Sequence, residues 1–203
     1  MFLLDETLAT EHVAKELLGC LLVHQSDDGI TSGWIVETEA YIGEKDEACH
    51  SYRRKRTPRL IAMYDKPGTI YLYQMHGHIL LNIVTQPVDV PHAVLIRAIE
   101  PAQGKDLMIN RRIKSGIELT NGPGKLTQAM GITMDNYGTM ITSKSLFIDI
   151  TQRRMPLKIE SSPRIGIPNK GEWTNKKLRY TVKGNPYISK YKGTTDQKNH
   201  GWA

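Results

Sequence analysis

Residues 69–85, TIYLYQMHGHILLNIVT, form two runs of aliphatic and aromatic residues that reverse at Gly77, the pattern of an antiparallel hairpin. A further apolar run, AVLIRAIEP at 93–101, reads as a buried strand with Arg97 in its middle. An arginine inside such a strand is costly unless a carboxylate meets it. The chain is therefore committed to a sheet, and to a buried charge within it.

The remaining elements mix freely with these strands. A helix is expected from Thr10 to Leu18, with Thr10 as its N-cap, Val13, Ala14, Leu17 and Leu18 as its apolar stripe and Gly19 as its stop. CLLVH then reads as a strand, SDDG as a turn, and residues 31–41 as the partner strand. In that partner, the period of two places Glu37, Glu39 and Tyr41 on one face and Trp34, Val36, Thr38 and Ala40 on the other. Thr57-Pro58 opens a short helix through Tyr64, DKPG is a turn, and NGPGKLTQAMGI opens onto a helix ended by Gly131. SLFIDI and LRYTV are short strands, residues 102–120 read as polar connections, and the polar tail after Lys190 is expected to fray. Without a βαβ rhythm, the class is α+β, and a length of 203 residues suits one domain, 1–203.

A composition of 39% hydrophobic and 24% charged residues excludes a disordered or fibrous chain. The first residues, MFLLDETLATEH, lack the basic region of a signal peptide, and no apolar run nears the roughly 18 residues of a membrane span. Cys20 and Cys49 are too few for a disulfide framework or a four-ligand zinc site. The expectation is a cytoplasmic, monomeric protein with reduced thiols and no membrane partner. The net charge of +6 hides an asymmetry: residues 1–50 carry 11 acids against 2 bases, residues 51–152 carry 7 against 13, and residues 153–203 carry 3 against 12. So sustained a basic bias points to a nucleic-acid backbone.

Glu37 and Glu39 are either polar surface positions or the acids of a pocket whose rings are Tyr41, His50, Tyr71 and Tyr73. Flat rings beside a carboxylate make a slot for a planar ligand, and a flipped nucleobase is one. Arg97 is either half of a structural ion pair or the partner of Glu39. Met75 and His76 occupy a hairpin tip, where turn residues are usual, and are either partly buried or a wedge for the base stack. NGPGKL offers free backbone N–H groups and Lys125 to a phosphate, without the spacing of a nucleotide-binding P-loop. Glu37, Glu39, Asp46 and Glu47 would be the ligands of a magnesium nuclease, but no HExxH, paired CxxC or deaminase pattern is present, and no metal or cofactor is expected.

VETEAYIGEKDEACHS, TPR, KPGTIYLY, RAIEP, GPGKL, RIGI and LRYTVKGNPYIS occur in this order between Val36 and Ser189. Together they resemble the alkyladenine (3-methyladenine) DNA glycosylases. The resemblance implies a single mixed domain with a curved antiparallel sheet, flanking helices and a protruding hairpin. It also implies roles. Glu39 would be the general base and Arg97 the residue that orients water with it. Tyr41, His50 and Tyr73 would sandwich an extruded base, and Asn82 would act as a gate against the 2-amino group of guanine. Lys125 and the basic C-terminal third would hold phosphates. His76 stands where the family often has tyrosine at the wedge, and the segment Gly77–Asn82 is one residue shorter than usual. The implied protein is a monofunctional glycosylase of base-excision repair that flips alkylated or deaminated purines out of duplex DNA and hydrolyses the N-glycosidic bond with an activated water. A non-catalytic binder of damaged DNA and a metal-dependent nuclease are its rivals.

Overall fold

A computed structural model describes residues 1–203. One antiparallel sheet runs β3 (Ile70–Met75), β4 (His78–Val84), β5 (Ala93–Pro101), β2 (Gly29–Tyr41), β1 (Cys20–Ser26) and β6 (Leu146–Arg153), with β8 (Arg179–Val182) on β2 and β7 (Ile159–Ser162) on β8. The 13-residue β2 is its spine. On one edge β5 pairs with β2 from Gly33 to Tyr41. On the other edge, β1 pairs with Gly29–Trp34 and β8 with Glu37–Glu39, so the sheet forks. The β2–β5 ladder is irregular at that fork, where Glu37 lies opposite Ala98 and Val36 and Arg97 drop out of register. Such irregularities re-aim side chains, and here they turn acids and an arginine inward.

The period of two divides labour between the faces. Ile70, Leu72, Leu81, Ile83, Val94, Ile96, Ala98 and Ala40 join the main core. There they meet Val13, Ala14, Leu17 and Leu18 from α1 (Thr10–Glu16) and its end, and Leu126, Ala129 and Met130 from α3 (Pro123–Met130). Burying each Val, Leu, Ile or Met side chain among them contributes about 1.5–3 kcal/mol, so this face carries the stability. The opposite face, Tyr71, Tyr73, Asn82, Leu95 and Arg97, lines a cavity.

The expected α+β architecture is the one observed. No helix is long and apolar enough to cross a membrane. Three local expectations are corrected. Thr10 is the first helical residue, not the cap: Ala9 holds the N-cap position, and the buried Thr10 hydroxyl bonds Thr85 Oγ1 at 2.9 Å and His92 Nδ1 at 3.1 Å. The helix stops at Glu16, although Leu17 and Leu18 remain buried. A helix, α2 (Lys105–Arg112), occupies the segment read as connection. Only Met108 of it is buried, and it is fixed by polar contacts, Arg111 Nη1 donating to the Ala129 carbonyl at 3.2 Å and Arg112 Nη1 to Gln128 Oε1 at 2.9 Å.

The tail after Lys190 does not fray. Trp202 is 5% exposed and pairs with Pro156, and the Ala203 amide donates to the Met155 carbonyl at 2.8 Å. The anchor is Glu100, which accepts from Trp202 Nε1 at 2.8 Å, Asn185 Nδ2 at 2.8 Å and Arg154 Nη1 at 3.0 Å, with His200 Nδ1 at 3.1 Å. Burial opposes the charge on Glu100, but the hydrogen bonds from Trp202, Asn185 and His200 outweigh it and hold the carboxyl below its usual value. A carboxyl depressed in the folded state adds stability above its unfolded value near 4.3 that is lost as pH falls through the folded value. Glu100→Ala is expected to cost about 1–3 kcal/mol by stranding buried donors and to flatten the acid limb of the stability curve. Denaturation between pH 3 and 7 and amide exchange at Gly201–Ala203 measure both effects.

Candidate active site

The fork of the sheet creates a buried charge node. Glu37 is fully buried, and its Oε1 accepts from Arg97 Nε at 3.0 Å, Arg179 Nε at 2.6 Å and Ser189 Oγ at 2.9 Å, while Oε2 accepts the Ser189 amide at 2.7 Å. Arg179 opens β8 and reaches Glu37 because β8 pairs with β2 at this point. Arg97 Nε also lies 3.4 Å from Glu39 Oε1. The expected Glu39–Arg97 pair is thus the longer contact, and Glu37 is the principal partner, since the irregular ladder sets Glu37 beside Arg97. Arg97 Nη1 has no protein hydrogen bond, and the side chain lines the cavity.

Glu39 is fully buried too, and it is absent from the cavity lining. Its Oε2 accepts the Tyr41 hydroxyl at 2.9 Å and its Oε1 the Ile165 amide at 2.8 Å. Tyr41, Arg97 and Ile165 all border the cavity, so Glu39 sits directly behind its wall. A second ion pair holds that wall. Arg164 and Asp46, both without exposed side-chain surface, pair at 2.5 Å (Nη1–Oδ2) and 2.8 Å (Nη2–Oδ1). Asp46 also accepts the amides of Ile42 and Ala48, and the Arg164 guanidinium lies 4.6 Å from the centre of the Tyr41 ring. The clip joins the loop that carries His50 to the segment that presents the Ile165 amide to Glu39.

The cavity, of about 310 Å³, is at the small end for ligand sites. That suits one planar heterocycle better than a whole nucleotide. His50 stands perpendicular to Tyr73 at 4.5 Å between ring centres, and Tyr71 stacks on Tyr73 at 5.9 Å. His50 Nδ1 and the Tyr71 hydroxyl are 2.9 Å apart. Burial, then the nearby Arg59 and Lys55, lower the pKa of His50, so its ring is neutral near pH 7. Burial, with Glu39 nearby, raises the Tyr73 phenol to about 12, and the same causes raise Tyr41 well above its usual value. The aromatic lining is uncharged at neutral pH. Asn82 is 3% exposed and its Nδ2 donates to the Tyr71 carbonyl at 3.1 Å and the Leu80 carbonyl at 3.4 Å. The amide is locked against the sheet, while Oδ1 has no protein partner.

The hairpin tip and the start of α3 border the rim. His76 and Gly77, with φ of 49° and 79°, form the two-residue turn of the hairpin, and both positions need the left-handed region that glycine adopts freely. Met75 lines the cavity mouth, whereas His76 lines only the adjoining groove. At the start of α3, a Cβ on Gly124 would lie 2.6 Å from the His78 Cβ, so only glycine lets α3 approach β4. Lys125 is not free: its Nζ bonds Glu118 Oε2 at 2.6 Å and Asn121 Oδ1 at 2.7 Å.

Sequence reasoning brought Glu39, Tyr41, His50, Tyr73, Asn82, Arg97 and Met75 to one place, and the structure gathers them. It missed Arg164, Arg179, Ser189 and Lys190. Arg179 breaks the run LRYTV as Arg97 breaks AVLIRAI, which is the same signal. Arg164 lies in an irregular segment and Lys190 in a turn, where no periodicity marks them. The candidate metal ligands are not gathered: Glu37, Glu39 and Asp46 are taken up by guanidinium and amide donors, and no group of three or more His, Cys, Asp or Glu could hold a metal ion.

The site is an aromatic cavity backed by a carboxylate–guanidinium node, on a basic antiparallel-sheet protein. The sequence pattern of the methylpurine-DNA glycosylase (MPG) family matches residues 5–186, and the chain belongs to that family. Three bacterial relatives carry the name "Putative 3-methyladenine DNA glycosylase". The Enterococcus faecalis protein is 57% identical over 97% of this chain and 86% of its own length. That of Staphylococcus saprophyticus is 53% identical over 90% of each chain, and that of Listeria monocytogenes 52% over 91% of this chain and 89% of its own.

Asp46→Ala is expected to cost about 3–5 kcal/mol, because it leaves Arg164 charged, buried and unpaired. Urea denaturation of the variant measures the loss. A cost below about 1 kcal/mol would mean that the clip does not hold the wall.

Proposed function

We propose that the protein is a monofunctional DNA glycosylase of base-excision repair, acting in the cytoplasm on alkylated purines in duplex DNA. The observation that carries this reading is the Glu39 carboxylate 3.4 Å from Arg97 Nε, directly behind the wall of an aromatic cavity of base size. The damaged nucleotide is flipped so that its base enters between Tyr41 and the His50–Tyr73 pair. A water held by Arg97 Nη1 attacks C1′, giving its proton to Glu39. The C1′–N bond breaks and the base leaves with the bonding pair. A purine alkylated at N3 or N7 is cationic and leaves as a neutral molecule, so it needs no acid.

The lining supports that lesion class. It contains no carboxylic acid to protonate a neutral leaving group, and its electron-rich tyrosines and neutral His50 suit a cationic ring, against which stand the two cations of the lining, Arg97 and Lys190. The locked Asn82 leaves no room to move aside, which supports discrimination against the 2-amino group of normal guanine. Glu39 has no exposed surface, so the reading includes a small opening of the Tyr41 or Ile165 contact as the nucleotide enters.

Glu39→Gln is expected to lower single-turnover base release by at least about a hundredfold while preserving affinity for alkylated duplex, with free base and abasic sites assayed in EDTA. Wild-type rates in that variant would remove Glu39 as the base. Retention of an abasic product without strand breakage, and no borohydride-trapped adduct, are the expected marks of a monofunctional enzyme.

Position favours Met75 as the wedge. Met75 borders the cavity mouth and is 46% exposed, while His76 is one residue further out, at the turn. Flipping a base costs a few kcal/mol of stacking, which an inserted side chain offsets in part. Met75→Ala should therefore weaken binding to lesion duplex more than His76→Ala, in titrations against lesion and intact DNA. The reverse order would make His76 the wedge.

A further inference from the structure

Lys190 is the one lysine that lines the base cavity, and it also lines two grooves leading away from it. The first groove runs past Met75 and His76 to the start of α3. The second, over β7 and β8, gathers Lys158, Arg179, Lys183 and Lys192 against Glu160, which is itself paired with Lys183 at 3.2 Å. Lys190 thus stands where cavity and basic track meet. It makes no ion pair, whereas Lys125 and Lys183 are both matched to glutamates.

Its backbone is held there at some cost. Lys190 has φ of 50°, the left-handed region that a lysine adopts only when its surroundings impose it. They do so through the charge node: the Ser189 amide donates to Glu37 at 2.7 Å, and the Ser189 carbonyl accepts from Arg179 Nη2 at 3.0 Å. The same buried network that places Arg97 therefore places Lys190 at the cavity rim.

We infer that the Lys190 ammonium binds the phosphodiester of the extruded nucleotide, an inference that rests on the base-flipping reading above. When a base lies in the cavity, its sugar and flanking phosphate must cross this rim. A cationic lesion would repel an ammonium directed into the cavity, so the anion that satisfies Lys190 is the phosphate. Contact with this phosphate forms only in the flipped complex, and Lys190 therefore favours lesion duplex over intact duplex.

The test is binding of Lys190→Gly and Lys190→Arg to lesion and intact duplexes over a range of salt. Glycine is chosen because it removes the side chain and accepts the left-handed backbone without strain. Lys190→Gly should lose about tenfold in affinity for lesion duplex, the size of one charge-assisted hydrogen bond, and about 0.9 in salt slope. Its affinity for intact duplex should not change, and Lys190→Arg should retain both. Replacing the phosphate flanking the lesion by a neutral methylphosphonate should abolish the difference between wild type and Lys190→Gly. Lys158→Ala should weaken both duplexes alike. If wild type prefers lesion duplex while Lys190→Gly keeps its slope and affinity, the assignment is overturned alone. If wild type binds both duplexes equally, the base-flipping reading falls and the assignment with it. A borohydride adduct on Lys190 would overturn it in favour of an amine that attacks C1′.

Discussion

The contact on which the site depends is the one between Glu37 and two arginines. A fully buried carboxylate is held by Arg97 and Arg179, with the hydroxyl and amide of Ser189 filling its remaining acceptor positions. Glu39 adds a second negative charge at 3.4 Å, so two carboxylates face two guanidinium groups. Burying any one of these ions alone would cost several kcal/mol. Together they are compensated, and they can form only where β2 is bordered by β5 on one side and β8 on the other. The fork of the sheet and the node therefore require each other.

This arrangement separates the aliphatic core from the cavity by sheet face. Aliphatic packing against α1 and α3 occupies one face, where small shifts are resisted by a close-packed interior. The other face holds polar groups whose geometry is set by ion pairs, at the node and at Asp46–Arg164. Ion pairs and hydrogen bonds are directional, so they fix Glu39, Arg97 and the Ile165 amide more narrowly than apolar contacts would. Such buried pairs contribute little net stability. What they supply here is placement.

The strands and the inward face of β2 were legible because period two is a strong signal over a run as long as residues 31–41. Arg97 was legible as a buried charge in need of a carboxylate, yet its partner was not. Glu37 and Glu39 share a face, and only the irregular ladder decides which comes closer. Helix α2 was missed because it has no apolar stripe and is held by arginines to α3. The tail was misread because its polar composition conceals Trp202, whose partner Glu100 is far off in sequence. Lys125 stood out as a lysine at a helix start, but Glu118 already neutralises it. Lys190 did not, since its position comes from a turn imposed by Ser189. Long-range pairing explains these misses except at Lys125, whose partner Glu118 is a near neighbour in sequence.

The charge asymmetry of the chain has two physical origins. The acidic first quarter supplies Glu37, Glu39 and Asp46, all with no exposed surface. Their partners Arg97, Arg164 and Arg179 come from the basic remainder, and all three have little or no side-chain exposure. Part of the asymmetry is therefore neutralised inside the fold. Arginine is suited to that work, because its planar guanidinium binds carboxylates at several points and is weakly hydrated. The lysines Lys158, Lys190 and Lys192, which make no ion pair, instead line an open groove, where a strongly hydrated ammonium keeps its water until an anion arrives. The acids beside RRKRTPR are thus mostly internal, and the excess positive charge left on the surface is largely lysine.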